Sequence, residues 1–330
     1  LDNARVRVQE NGIGSHDVST LSEDHAVPID PNAVERIEVV RGPATLRYGS
    51  QAIGGVVAVE NNRIPSFVPP RGFIAETKGS YSSVDRGRDG SFNVTAGIDG
   101  IVVHADAFVR RADDYNTPKG RQLNTFVESE GFSVGLSRVW NTGFIGVSYT
   151  SIQSLYGIPG DEAADARPRI DMRQEKIQAK GEWRPKSNGI EAVRFWFGAS
   201  DYAHNEVVFD GDPMVNRDII GTRFTNKEIE GRAEVQHMPV ATAFGELRGA
   251  VGFQAGQRKT HGFGVEEPVD GLLDPARTRS LAGFVFEELQ VSRQLRFQVA
   301  GRIEETRVDG RGLADFSVPA APVFFEGERS

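Results

Sequence analysis

From residue 71 onward the chain alternates apolar and polar side chains with a period of two. Phe73, Ala75, Thr77, Gly79 and Tyr81 share one face, while Glu76, Lys78 and Ser80 take the other. The same beat returns in Phe92, Val94, Ala96 and Ile98, in Val103, Ala105, Ala107 and Val109, and in Phe132, Val134 and Leu136. Farther on, Ile177, Ala179, Gly181 and Trp183 oppose Gln174, Lys176, Gln178, Lys180 and Glu182. Successive side chains of a strand point to opposite faces, so each segment predicts a strand with one apolar and one polar side. Eleven strands are expected, at about 72–81, 91–99, 101–111, 130–140, 143–153, 172–184, 191–209, 222–237, 245–260, 278–290 and 293–308.

The connections carry more information than the strands. Short ones fall at 99–100, 141–143, 185–190, 237–245 and 291–294; longer polar ones fall at 82–90, 112–130, 156–171, 210–221 and 261–277. The polar, Pro-containing tail at 314–330 would be the next long one. A β-sandwich has no reason to alternate short and long links, whereas a membrane β-barrel does, with tight turns at one rim and long loops at the other. An odd strand count cannot close an up-and-down antiparallel barrel, so the expectation is part of a larger one.

The first 65 residues read differently. Residues 5–9 (RVRVQ) alternate as a short strand and run into the turn dipeptide Asn11-Gly12 and a polar loop at 15–30. Residues 34–59, VERIEVVRGPATLRYGSQAIGGVVAV, hold two β-branched runs, 37–40 and 56–59, each expected to be buried on at least one face. Gly42-Pro43 breaks the first run, because proline has no N–H for a ladder. Residues 44–48 predict one helical turn stopped by Gly49, and Gly54-Gly55 admits close backbone approach into the second run. Three prolines at 61–70 mark a linker, which divides the chain into a small α+β domain at 1–65 and the alternating strands of 66–330.

The run ERIEVVRGPATLRYGSQAIGGVVAV resembles the end of the plug domain of TonB-dependent outer-membrane receptors. The resemblance implies a plug seated in an all-β transmembrane barrel of about 22 strands in the bacterial outer membrane. This chain would then carry the later part of the plug and the first half of the barrel. An export signal, the energy-coupling segment and the remaining strands are expected outside it.

Composition agrees with that expectation. An apolar fraction of 38% with 37 glycines suits strands that show a polar face to a wet lumen. No run approaches the ~18 apolar residues of a membrane helix. The net charge of −8, with no Lys/Arg-rich block, argues against nucleic acid as a partner. Cysteine is absent, which excludes disulfides and thiolate-bound metal. GxSxG, HExxH and a phosphate-binding glycine loop are also missing, and Glu287-Glu288 point to opposite faces, so no enzyme is expected.

Strand parity sorts the six histidines. His104 and His237 fall near the short-turn rim and read as structural, whereas His261 should open a long loop. With Phe195, Phe197 and Ala199 facing lipid, Tyr202, His204 and Glu206 face the lumen. In the polar loop of the first domain, Asp24-His25 follows Glu23, and His16-Asp17 lies upstream. Imidazole and carboxylate together suit Zn²⁺ or a similar divalent ion, so Asp24, His25, His204 and Glu206 form a candidate metal set. The alternative is an incidental histidine in a loop where Asp24 caps a turn. Arg36, Arg41 and Arg47 are expected to pair with lumen-facing acids, since buried charges need partners.

A closer resemblance enters with SHDVSTLSEDHAVPIDP, NNRIP, DDYNTP, YGIPG and SDYAHNE, which look like the zinc-uptake branch of these receptors. It implies Asp24, His25 and, less directly, Glu206 as zinc ligands, with Zn²⁺ as cargo and no permanent cofactor. One departure is that residues 161–171, often histidine-rich in that branch, contain none here. The implied partners are the TonB energy-transducing complex, a divalent ion or metal chelate, and outer-membrane lipid, with the protein a monomer. Two other readings stay open. One is a receptor of the same architecture for a siderophore, haem, copper complex or cobalamin, and the other is a non-transporting adhesion or docking barrel.

Overall fold

The computed structural model describes residues 5–160, 163–265, 273–313 and 322–329. The first domain is a four-stranded sheet of β1 (Val6–Glu10), β2 (Ile13–Gly14), β3 (Arg36–Val40) and β4 (Gly55–Glu60), in the order β2-β1-β4-β3. Asn11 and Gly12 both take positive φ (51° and 86°), as a two-residue hairpin requires, and join β1 to β2. β1 pairs parallel with β4, which pairs antiparallel with β3. Between β3 and β4 the chain makes a 3₁₀ turn at Pro43–Arg47, entered at Gly42 with φ 76°. Val56, Ala58 and Ala52 form the small core of this domain, with Val40 and Tyr48 packed on it. The expectation that both β-branched runs are buried holds for β4 alone. β3 is the sheet's edge, and its Ile37 and Val39 are 59% and 60% exposed.

The remaining strands form one large antiparallel sheet. Its members are β5 (Phe73–Ser82), β6 (Gly87–Ile98), β7 (Ile101–Ala112), β10 (Val127–Trp140), β11 (Gly143–Gly157) and β12 (Arg169–Trp183). They continue with β13 (Ile190–Asp210), β14 (Arg217–His237), β16 (Gly245–Gly264), β17 (Leu273–Gln290), β18 (Arg296–Leu313) and β19 (Pro322–Arg329). These follow one another in sequence order from β5 to β19. The short strands β8 (Asn116–Thr117) and β9 (Gly120–Arg121) make a separate hairpin in one long loop, and β15 (Val240–Thr242) pairs with β16 inside a short turn. At 21 residues each, β13 and β14 are about twice the roughly 9–11 residues with which a strand crosses hydrocarbon.

Side-chain exposure separates a barrel from a sandwich. Phe132, Val134 and Leu136 are about half exposed, while Ser133 and Ser137, of the opposite parity, are 1% and 2% exposed. Phe73 is likewise exposed, and the small domain packs against the polar face of the sheet. Apolar side chains thus point outward and polar ones inward onto a plug, the inverse of a water-soluble two-layer fold.

Three expectations need correction. Residues 322–329, read as loop, form a twelfth long strand on β18, because the Pro322–Arg329 run supplies the next antiparallel partner. The connection after β5 is a tight turn at 83–86, where Asp85 accepts a hydrogen bond from the Gly87 amide (2.9 Å) and Arg86 takes φ 55°. The ladder therefore runs on through Gly87 to Gly90, and the expected rhythm also fails at 211–216, where β13 and β14 extend into the expected long loop and leave a link no longer than that at 184–189. His261 lies within β16 opposite Thr225, since β16 extends past the expected strand end. The expected loop segments 266–272 and 314–321 lie outside the described residues.

Charge pairs pin the plug to the wall. Arg63, in the linker, donates to Glu10 (2.8 Å) and to both carboxylate oxygens of Asp106 on β7 (3.1 Å each). Lys176 on β12 reaches Glu10 (3.3 Å), Arg7 reaches Glu230 on β14 (2.6 Å), and Arg47 reaches Glu234 (2.6 Å). Arg47 thus meets a wall acid as expected; Arg36 does not, pairing on its own exposed strand with Glu38. Gly135 on β10 permits the linker's approach, because a Cβ there would sit 1.7 Å from the Arg63 carbonyl oxygen.

Candidate metal centre

The polar loop at 15–30 does not behave as a surface loop. Its first residues, Ser15 to Val18, are buried between plug and wall, anchored by Gln174 and Asn226 side chains that donate to the Ser15 and His16 carbonyls. The chain then rises so that Asp24 and His25 meet the inner face of β11 to β14. Tyr156, at the end of β11, accepts from the Ala26 amide (2.9 Å) and donates to the Asp24 carbonyl (3.1 Å), clamping the dipeptide in place.

His25 is buried, and its Nε2 lies 3.3 Å from Glu206 Oε1 on β13. His204, two residues before Glu206 and on the same face, places Nε2 3.9 Å from that same oxygen. One ligand atom from each of His25, His204 and Glu206 lies within 4.8 Å of the others. Bonds of about 2.0–2.2 Å at tetrahedral angles separate ligand atoms by about 3.3–3.6 Å, so a Zn²⁺ ion fits after small side-chain adjustments. Asp24 sits at the rim: its carboxylate is 3.9 Å from His25 Nε2 and is engaged by the Ser22 hydroxyl. The structure therefore gathers all four sequence-selected residues, three tightly and Asp24 at the edge.

The far side of each ring is also committed. His25 Nδ1 lies 3.1 Å from the Val18 carbonyl and must donate to it, which leaves Nε2 as a lone-pair acceptor when the ring is neutral. His204 Nδ1 is 3.0 Å from the Tyr202 hydroxyl, while its buried Nε2 has no hydrogen-bond partner among the described residues. Metal-binding histidines are oriented in this way, by a second contact at the other ring nitrogen. Burial pulls the His25 pKa down, but Glu206, the Val18 carbonyl and Asp24 outweigh it and leave the imidazole raised above its ordinary value. An arriving cation would displace a proton there.

The surroundings were harder to read from sequence. Phe224 on β14 packs against both imidazoles, with ring centroids 5.4 Å from His25 and 5.1 Å from His204. Beneath lies an apolar cluster inside the lumen, formed by Val18, Phe108, Ile152, Ile170, Met172, Tyr202 and Phe224. Strand parity predicts a polar inner wall, and this cluster departs from it where Val18 of the plug needs a partner. Tyr202 could be found by its two-residue spacing from His204. Phe224 could not, because its place opposite His204 is a matter of strand register. His104 is tied to Thr95 (2.7 Å) and Asp106 (3.3 Å), away from this centre, and His237 contacts Glu287 (3.2 Å).

Residues 1–56 match the family model described as the TonB-dependent receptor plug domain. Among curated proteins, a haemin receptor of Yersinia pestis is 34% identical over 108 residues, 29% of this chain and 15% of that protein. A ferric enterobactin receptor, PirA of Pseudomonas aeruginosa, is 54% identical over 44 residues, 13% of this chain and 6% of that protein. Of solved structures, the copper transporter OprC superposes with a TM-score of 0.80 at 13% identity, covering 99% of this chain and 51% of that one. The siderophore receptor PiuA of Acinetobacter baumannii gives 0.71 at 12% identity, covering 99% of this chain and 54% of that one. The chain spans about half the length of these solved structures. The relatives are receptors and transporters, not enzymes, as the missing catalytic motifs led us to expect.

Proposed function

We infer that this chain, a plug-and-barrel protein of the TonB-dependent receptor family in the outer membrane, captures a scarce divalent metal ion, Zn²⁺ above others, for import. One observation carries the reading: two buried imidazoles and a carboxylate converge within 4.8 Å, each ring oriented by a second contact. Nitrogen and carboxylate donors in a compact array match zinc better than calcium or magnesium, which prefer oxygen alone.

The division of the ligands suggests how the ion is released. Asp24 and His25 belong to the plug; His204 and Glu206 belong to the wall. Coordination tolerates only a few tenths of an ångström around 2.0–2.2 Å bonds. A pull on the plug through a TonB-type motor, separating the halves by a few ångströms, is therefore enough to break it. A metal chelate is the second reading, favoured by the names of the relatives, which include haemin and ferric enterobactin receptors. Equilibrium Zn²⁺ titration of the complete protein in detergent tests the first reading. His25→Ala or Glu206→Ala is expected to weaken binding by about a hundredfold or more, since loss of a mere outer-shell partner already costs about 10–100-fold; unchanged affinity would remove this centre.

A further inference from the structure

A second group of metal-ligating side chains lies deeper in the lumen. His16 of the plug points Nε2 at Glu230 Oε2 (3.3 Å) and Glu228 Oε1 (3.8 Å), both on β14. The three ligand atoms fall within 4.8 Å of one another, the spacing found at the outer centre. The His16 side chain is fully buried, and its Nδ1 has no hydrogen-bond partner among the described residues. His16 holds this position with φ 59°, and Gly198 leaves room for the segment, since a Cβ there would lie 2.5 Å from Ile13 Cγ2 and 3.3 Å from the imidazole.

The two groups share one space. A cavity of 360 Å³ is lined by His25 of the outer centre, by the neighbouring Glu23, and by His16, Asp17, Glu228 and Arg258 around the inner group. Along β14, Glu228 and Glu230 come four and six residues after Phe224, the neighbour of His204. At about 3.4 Å per residue that is about 14–20 Å toward the short-turn rim. A second cavity of 540 Å³ begins at Glu228, Arg258 and Arg7 and continues past Glu230 to Arg302 and Glu304.

We propose that His16, Glu228 and Glu230 form an inner station for the same class of cation, occupied after release from the outer centre; this rests on the metal reading of that centre. Two guanidinium groups keep the station neutral when no cation is there. Arg7 pairs with Glu230 (2.6 Å), and Arg258 stands 3.9 Å from Glu228. Both line the cavities; Arg258 is held by the Asn226 side chain (3.0 Å) and the Asp17 carbonyl (3.1 Å), so it is Arg7 that must leave its carboxylate as a divalent ion arrives. Glu228 is the freer carboxylate, held by Asn226 (3.2 Å), whereas Glu230 is also bound by the Gly14 amide and Gln254. Because the Arg7 guanidinium must be displaced, the inner ion binds at least tenfold more weakly than the outer one.

Zn²⁺ counted by equilibrium dialysis on the complete protein in detergent tests this. The wild type is expected to bind two ions of unequal affinity. His25→Ala combined with Glu206→Ala should lose the tight ion and keep the weak one. Glu228→Gln, which preserves shape and the Asn226 contact, should lose the weak ion and keep the tight one, and His16→Ala should do the same. Hydrogen exchange at β1 and β4 checks that the plug remains docked in each variant. One ion in the wild type and none in the outer-centre variant would overturn the inner station while leaving the outer centre intact. A weak ion that survives both His16→Ala and Glu228→Gln would overturn it as well. Loss of the weak ion alone in these variants, with the tight ion indifferent to His25→Ala, would support the inner station and sink the outer centre.

Discussion

Asp106→Leu removes the wall's carboxylate from a deeply buried charge cluster between plug and barrel. Arg63 and Asp106 have side chains 2% and 6% exposed, and Arg63 meets both Asp106 oxygens at 3.1 Å. Glu10 balances the remainder, accepting from Arg63 at 2.8 Å and lying 3.3 Å from Lys176. Two cations and two anions thus sit together without solvent, with the buried His104 imidazole also 3.3 Å from Asp106. Deleting one anion leaves an uncompensated buried charge, which costs about 3–5 kcal/mol. At about 1.4 kcal/mol per tenfold, plug opening should rise by roughly two to three and a half powers of ten. Arg63→Met added to Asp106→Leu restores balance, because Glu10 keeps Lys176, and should recover most of the loss. Hydrogen exchange of the amides in β4 and the linker, measured in detergent, reads the opening free energy directly. The reasoning fails if Asp106→Leu shifts opening by less than about 1 kcal/mol, or if the double variant is no better than the single one.

Two more outcomes follow from the same architecture. Val134 is 49% exposed at the middle of β10, and Val134→Arg should cost about 2–4 kcal/mol of barrel stability in lipid, while Ser133→Thr should not; equal tolerance in a urea unfolding series in vesicles would argue against a lipid-facing surface. Burial would raise the pKa of Glu10, but Lys176 and Arg63 outweigh it and leave the carboxyl lowered. A lowered native value means docking stability is full above the ordinary 4.5 and drains away as pH falls through the native value. Hydrogen exchange of β4 between pH 6 and 3 should show protection falling in acid, and Glu10→Gln should flatten that fall.

What the sequence by itself determined was the local pattern. Side-chain alternation is a property of neighbours two apart, so Phe132, Val134 and Leu136 disclosed an apolar face and Ser133 its opposite without any partner strand. Asn11-Gly12 and Gly42-Pro43 declared their turns because their backbone chemistry acts on the spot. The parity of β13 put His204 and Glu206 on the inner face for the same reason. Tertiary structure alone decided what that face meets. The convergence of His25 with His204 spans 179 residues of chain, and Phe224 reaches both only through the register of β13 with β14. The exposed β3, the buried start of the polar loop and the partner of Arg36 were also missed. Each depends on which surfaces the plug turns to the wall, and that is fixed by long-range burial and charge pairing rather than by any residue's own preference.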